Sequence, residues 1–138
     1  RHCRHNVNYW LFGDYLAAGA GAHGKVSDSQ RIARYRKPAN PLQYMQEIEA
    51  GEGCGDPAAV APADLPLEFM INATRIKAGF SESDFAGRTG LSIDHLEVLM
   101  RGPLDKGLIE RVEPGTWRPT RLGWRFLNDL QAEFLRNF

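Results

Sequence analysis

The sequence LIERVEPGTWRPT, residues 108–120, decides how the second half of the chain folds. Two runs of strand-forming residues flank Pro114 and Gly115, and this pattern predicts a β-hairpin that turns at those two residues. Thr120 follows the hairpin directly and is a typical helix-capping residue. The closing helix that it would cap has an apolar stripe made of Leu122, Phe126, Leu127, Leu130 and Phe134.

Two helices are predicted at the start of this half. The first would be capped by Asp64 and stopped by Gly79. The second would begin at Ser81 and end near Thr89 and Gly90. The apolar residues that recur at helical spacing in the first helix are Leu65, Phe69, Ala73 and Ile76.

A third helix is predicted after Ser92, with Ile93, Leu96 and Met100 on its buried side. Pro103 should break or kink it near Arg101, because proline lacks the amide donor and clashes with the preceding turn. Three helices, a hairpin and a closing helix together predict a winged-helix-like domain.

The charges of this predicted domain argue against a nucleic-acid partner. Affinity for DNA rests on Lys and Arg that neutralise phosphates, and the second helix of the helix-turn-helix pair would enter the major groove. That helix carries Asp94, His95 and Glu97 instead. The hairpin and the last helix do hold basic residues, namely Arg111, Arg118, Arg121 and Arg125. We interpret these as a solvated face and predict no nucleic-acid partner.

The first part of the chain has the pattern of pieces of an α/β fold. Residues 6–13 and 14–22 are predicted to be extended runs, residues 31–37 are a third, and Pro41 opens a short helix. If residues 6–13 and 14–22 came from a closed parallel sheet, their edges would be exposed once separated from it, and exposed edges pair with other chains. Residues 1–37 are therefore expected either to refold as a hairpin against the winged-helix-like domain or to swap into a neighbouring chain, which would give a homodimer.

Charge divides the chain into blocks although the formal net charge is zero. Residues 1–37 carry a net charge of +5, whereas residues 38–74 carry −6 without one basic residue. Such blocks indicate two segments joined by an acidic linker that contains Gly and Pro. The predicted division is 1–49 for the first segment, 50–63 for the linker and 64–138 for the winged-helix-like domain.

Two motifs in the first segment contain residues that can bind a ligand. His5 and Tyr9 share a face in a strand or a helix, since residues four apart do so at either period, and this puts a metal-ligand nitrogen beside a flat ring. The run GAGAHG, residues 19–24, would let a ligand approach the backbone at the end of a strand. Each motif also has a purely structural interpretation: a buried, hydrogen-bonded histidine for His5, and tight packing of small residues for the run.

Five stretches of the chain resemble the C-terminal third of the HemW-type haem chaperones. They are CRHNVNYW (3–10), GDYLAAGAGAHGK (13–25), EFMINATRIKAGF (68–80), FAGRTGL (85–91) and PTRLGWRFLNDLQAEFL (119–135). These chaperones belong to the radical S-adenosylmethionine (SAM) family that also contains the oxygen-independent coproporphyrinogen III oxidases. The element HN-x-x-YW discriminates between the two, because only the chaperones are expected to carry it. Ala17 and Ala18 depart from the family, which usually has glycine and a branched aliphatic residue there.

The resemblance implies an α+β fold, in which remnant strands of the radical SAM α/β barrel precede the mainly helical, winged-helix-like domain. It also implies that haem is the ligand. A neutral imidazole is a common axial ligand of haem iron, and aromatic rings can pack on the macrocycle. His5 would bind the iron, Tyr9 would be a platform on the same face or a second ligand, and Trp10 would pack on the opposite face.

A second set of residues is implied to face the nucleotide side of the parent's active site, and this set comprises Gly19, Gly21 and His23. The parent would need SAM and a 4Fe–4S cluster held by a closely spaced cysteine triad. Cys3 and Cys54 cannot supply such a triad. The chain by itself is therefore expected not to be an enzyme.

Neither cysteine is predicted to have another metal or bonding role. Cys3 with His2 and His5 cannot wrap a zinc ion without distant partners. A reduced cysteine pair in the cytoplasm is expected rather than a disulfide. The chain begins Arg-His-Cys without a methionine, and we expect it to be part of a longer protein. Its longest apolar run, Tyr15 to Ala22, is too short to cross a membrane.

The expected function of the parent is to bind haem and deliver it to haem-requiring proteins, among them respiratory and membrane proteins. The alternative is an oxygen-independent coproporphyrinogen III oxidase, which would oxidatively decarboxylate propionates in haem biosynthesis. A winged-helix DNA-binding regulator is the third and least supported interpretation. HNVNYW, residues 5–10, favours the chaperone.

Overall fold

The computed structural model describes residues 4–29, 31–52 and 57–135. Helices and short strands both occur, as predicted, and they fall into two compact units. Gly13–Pro62 form the first, here called the sheet unit, and residues 4–12 with 63–135 form the second, here called the helical unit. This grouping differs from the division predicted from charge and composition, which stays a prediction for the parent protein.

The sheet unit contains three short strands and one helix. The strands are β1 (His23–Ser27), β2 (Ile32–Arg36) and β3 (Ala58–Ala59), and they pair antiparallel in the order β1-β2-β3. The predicted strand at 31–37 and the helix opened by Pro41 are both confirmed. That helix, α2 (Pro41–Glu49), begins after Asn40, whose side chain accepts hydrogen bonds from the amides of Leu42 and Gln43.

The predicted extended runs at 6–13 and 14–22 are wrong. Residues 4–10 form a helix, α1 (Arg4–Trp10), and residues 14–22 are irregular except for an isolated bridge between Tyr15 and Lys25. The sheet is antiparallel, and the strands among the described residues do not form a closed barrel. The expected homodimer rested on exposed edges of those two runs. The homodimer stays a prediction, but exposed strand edges at residues 6–13 and 14–22 no longer support it.

The helical unit contains the remaining elements, preceded by a short 3-10 turn (Pro62–Asp64). After α1 they are α3 (Leu65–Ala73), β4 (Phe80–Ser81), α4 (Glu82–Thr89), α5 (Ile93–Asp105), β5 (Ile109–Glu113), β6 (Thr116–Pro119), α6 (Arg121–Arg125) and α7 (Leu127–Leu135). The predicted hairpin is confirmed as β5 and β6, and β4 pairs with β6 in the order β4-β6-β5. This order of elements supports the winged-helix prediction.

Three predicted helix caps are confirmed. Ser81 and Asp84 form a capping box, Ser92 accepts from the amide of His95, and Thr120 accepts from the amide of Gly123. Such side chains satisfy amides that have no partner inside the helix.

The two predicted ends of the first helix are wrong. Asp64 makes no side-chain capping bond, because the 3-10 turn runs into α3 at this point. Gly79 does not stop α3, which ends at Ala73. It has a positive φ of 95°, and a Cβ there would lie 2.3 Å from the carbonyl oxygen of Trp117. The glycine therefore allows the chain to pass close to β6.

Helix α5 continues through Pro103 to Asp105, so the predicted break near Arg101 is wrong. Pro103 is buried together with Leu96, Leu99 and Met100. Burying side chains of this size contributes about 1.5–3 kcal/mol each, which offsets the roughly 3 kcal/mol that a proline costs inside a helix. Ile93, predicted to be buried, is exposed near the start of the helix.

The closing helix is two helices. Phe126 has φ −114° and ψ 51°, which ends α6, and α7 begins at the next residue. This break divides the predicted stripe, because Leu122 is 48% and Phe126 is 45% exposed whereas Leu130 and Phe134 are fully buried.

Phe69 lies at the centre of the helical unit's core and is fully buried. Its ring contacts those of Phe12, Phe80 and Phe85 edge-on, with centroids 6.3, 5.4 and 5.3 Å away. Edge-to-face contacts of this kind are the favourable geometry for aromatic rings. None of the helices in the described ranges is both long and apolar enough to span a bilayer.

Candidate functional site

His5 and Tyr9 lie side by side on α1. Their ring centroids are 4.7 Å apart and the ring planes are tilted by 58°. The pair forms because residues four apart are neighbours on a helix surface. The His5 ring is exposed and Tyr9 is half-buried. An imidazole nitrogen is thus accessible to a ligand beside a partly sheltered aromatic ring.

Helix α1 is anchored at its C-terminal end by Phe12. This residue has a φ of 57°, which is unusual for a bulky side chain, and it is 1% exposed. Its amide donates to the carbonyl oxygen of Tyr9 at 3.0 Å, and its ring contacts Phe69 in α3. The core contact therefore holds the helix that carries the His5–Tyr9 pair.

Trp10 is half-buried on α1. Its predicted position opposite Tyr9 assumed a strand, in which neighbouring side chains point to opposite faces. On a helix consecutive residues are only about 100° apart. Trp10 therefore does not lie on the face opposite Tyr9.

Residues Gly13 to Lys25 fold into a loop that returns to β1. Gly19 and Gly21 have positive φ values of 95° and 71°, which glycine adopts readily. The Gly21 amide donates to the Pro38 carbonyl oxygen at 2.7 Å. The two glycines therefore serve a turn in the sheet unit, and their predicted place on a nucleotide side stays a prediction.

An ion pair holds together the two ends of this loop. Lys25 is 1% exposed, and its ammonium group donates to Asp14 Oδ1 and to Ser27 Oγ, each at 3.1 Å. Partial burial raises the pKa of the Asp14 carboxyl, but hydrogen bonds from Ser27 and Lys25 and the Lys25 charge outweigh it. The pKa of Asp14 is therefore lowered. The carboxylate stays charged and compensates a buried lysine.

His23 begins β1 and is exposed. It belongs to the sheet unit, whereas His5 belongs to the helical unit. Next to it, Gly24 packs against Tyr35 so closely that a Cβ would lie 2.2 Å from the ring. The Tyr35 hydroxyl in turn accepts from the Ala17 amide at 3.0 Å. At Gly24 the missing side chain allows tight packing against Tyr35, and tight packing of small residues was one of the two predicted interpretations of the run 19–24.

Metal ligation by cysteine falls outside what the structure covers, since His2, Cys3 and Cys54 are not among the described residues. Within residues 4–29, 31–52 and 57–135, no three His, Cys, Asp or Glu side chains are grouped so as to hold a metal ion.

Ion pairs between α4, α5 and the hairpin were not found from the sequence. Arg111 donates to Glu82 at 2.7 Å and to Glu97 at 2.9 Å, and its guanidinium lies 4.4 Å from the centroid of the Trp117 ring. Arg118 donates to Glu110 at 2.8 Å. Carboxylates therefore compensate two of the arginines that a nucleic-acid interface would need free. The only signal of these ion pairs in the sequence is the presence of opposite charges, such as Glu110 and Arg118, on the two predicted hairpin strands.

The fold matches part of a solved radical SAM enzyme. The structure of coproporphyrinogen III oxidase HemN from Escherichia coli superimposes on 88% of this chain and 28% of its own, with a TM-score of 0.58 and 16% identity. At that identity the match establishes the fold alone. No protein-family model matches the chain.

The sequence is similar to that of the heme chaperone HemW. It is 35% identical to the protein of Haemophilus influenzae over 135 residues, which are 96% of this chain and 34% of the relative. The Escherichia coli protein is 35% identical over 134 residues with the same coverage, and the Bacillus subtilis protein is 28% identical over 135. The chain spans about a third of the length of these relatives. The predicted resemblance is confirmed: the chain is similar to the HemW heme chaperones over 96% of its own length.

Proposed function

We propose that this chain is the part of a HemW-like haem chaperone that contacts haem, and that His5 is the axial ligand. The exposed His5 imidazole beside the Tyr9 ring carries the proposal, because it places a nitrogen ligand and an aromatic surface together. The sequence relatives that are named heme chaperones support haem as the cargo.

The residues around His5 fit a cargo that must also be released. An exposed histidine can reach an iron centre without displacing core side chains. The 58° tilt between the rings means that Tyr9 does not stack flat on the imidazole, so its ring can support a macrocycle bound at His5. A ligand held at the surface by few contacts suits transfer to another protein.

The whole parent protein would pass haem to haem-requiring proteins in the cytoplasm and at the membrane, respiratory proteins among them. The parent would also bind SAM and a 4Fe–4S cluster. The cysteines that hold the cluster would lie outside this chain, and Gly19, Gly21 and His23 of this chain would face the nucleotide. The oxidase alternative is not favoured, because the match to HemN establishes only a fold.

The test is a haem titration of the full-length protein followed by the Soret band. His5→Ala should bind haem about tenfold more weakly, a change of about 1.4 kcal/mol in binding free energy. His23→Ala and His95→Ala are matched controls, because both side chains are also exposed. Both should bind like the wild type.

A second variant separates ligation from support. Tyr9→Phe keeps the ring and should keep the Soret position of the wild type. Unchanged affinity in His5→Ala would refute His5 as the ligand. Turnover of coproporphyrinogen by the full-length protein, without a stable Soret band, would favour the oxidase.

A further inference from the structure

A cavity of about 260 Å³ lies where β6 runs into α6 in the helical unit. Its walls carry three basic side chains, one acidic side chain and an indole ring, from Lys77, Arg118, Arg121, Glu110 and Trp124. All these residues lie in the same compact unit. The cavity is separate from α1 and from the residues proposed to bind haem.

The cavity carries an excess positive charge. Glu110 compensates Arg118 through the hydrogen bond at 2.8 Å. The Lys77 ammonium lies 4.8 Å from the centroid of the Trp124 ring, a cation–π contact that leaves its charge in place. Among the described residues, neither Lys77 nor Arg121 forms an ion pair. The cavity wall therefore carries two positive charges, those of Lys77 and Arg121, that are not paired with a carboxylate, since Glu110 is paired with Arg118.

Positive charge elsewhere on the hairpin is compensated. Arg111 lies between Glu82 and Glu97. Glu97 and the exposed Asp94 lie on α5, the helix that would have to enter a DNA groove. Both arginines of the hairpin are thus paired with carboxylates, whereas a nucleic-acid surface would present unpaired cations along a helix or a strand.

We propose that this cavity docks an acidic segment of a partner protein, with two neighbouring Asp or Glu side chains meeting Lys77 and Arg121. A guanidinium can bind a carboxylate through two parallel hydrogen bonds. The Trp124 ring offers an apolar surface to the aliphatic stem of such a side chain, and Trp and Arg are the residues enriched at binding hot spots. This site lies outside the proposed function, since no step of haem binding uses it.

The experiment measures the affinity of the chain for a fluorescein-labelled hexaglutamate peptide by anisotropy. The double variant Lys77→Gln/Arg121→Gln should bind about fivefold more weakly, because solvent and salt weaken exposed charge pairs and the two pairs together contribute only modestly. Arg75→Gln/Arg88→Gln removes two exposed cations that do not line the cavity and should bind like the wild type. A hexaglutamine peptide should not bind.

A second readout locates the peptide. Intrinsic fluorescence should change on peptide addition in the wild type and not in Trp124→Phe, which keeps Trp10 and Trp117. Equal loss of affinity in the two double variants would overturn the proposal, because binding would then follow net charge alone. A DNA duplex that competes with the peptide and binds more tightly would also overturn it. Haem titration of the Lys77→Gln/Arg121→Gln variant should match the wild type, which distinguishes failure here from failure at His5.

Discussion

Replacing Phe134 and Phe126 separately by alanine should have very different effects on stability. Phe134 is 0% exposed in α7, which packs against α3 and α5, so its loss leaves a cavity in the core. Such a change costs about 3–5 kcal/mol. Phe126 is 45% exposed at the break between α6 and α7, so its ring transfers only part of its surface out of water. About 1 kcal/mol is expected for Phe126→Ala.

Urea unfolding of the whole chain, followed by circular dichroism, measures both costs. With a slope of about 2 kcal/mol per molar urea, Phe134→Ala should lower the unfolding midpoint by about 1–2 M more than Phe126→Ala does. If Phe134→Ala does not fold, Phe134→Leu keeps most of the volume and should cost less than about 1.5 kcal/mol. The slope should stay the same in variants that unfold from the same native state.

Equal costs for the two alanine variants would contradict this argument. They would mean that Phe126 is as buried as Phe134, and therefore that residues 121–135 form one continuous helix with the stripe expected from the sequence.

Two further predictions concern other parts of the fold. Gly123→Ala should destabilise the chain by about 1–3 kcal/mol or more, because the added Cβ would lie 1.8 Å from the Leu108 carbonyl oxygen. Gly87→Ala in α4 is the control, because a Cβ there would have nothing within 4 Å. It should stabilise the chain by about 0.5–1 kcal/mol in the same urea assay. Asp14→Asn should be less stable than the wild type at pH 7, and urea midpoints should converge as pH falls below about 4, because a lowered folded-state pKa stabilises only while the carboxylate is charged. A gap that persists at about pH 2 would rule out the charge as its cause.

Helix starts in the second half could be predicted because local chemistry decides them. Ser81, Ser92 and Thr120 each accept a hydrogen bond from an amide three residues on. Such a bond needs no information from the rest of the chain. The hairpin at Pro114 and Gly115 is equally local, and both features are where expected.

Helix ends and interruptions depend on distant contacts, and there the sequence was misleading. Pro103 stays helical because the surrounding side chains are buried. Phe126 ends α6 although its apolar spacing continues into α7. Gly79 is required by the path of Trp117, 38 positions later in the chain. The contact between Gly79 and Trp117 is not visible in a short window of sequence.

The secondary structure of the first segment could not be predicted, because short apolar runs suit a strand and a helix equally. NVNYWLF alternates enough to resemble a strand, yet residues 4–10 are helical. Just after α1, Phe12 is buried against Phe69, and this contact holds the helix to the core. A contact between residues 57 positions apart carries no local signal.

His5 and Tyr9 are neighbours as predicted, although the segment is a helix and not the predicted strand, and the reason is geometric. Four residues are two full periods of a strand and slightly more than one turn of a helix, so the pair shares a face in both. The position of Trp10 was tied to the period of two and changed with it. Inferences that hold at both periods are therefore the ones to take from an ambiguous segment, and the proposed haem ligand rests on one of these.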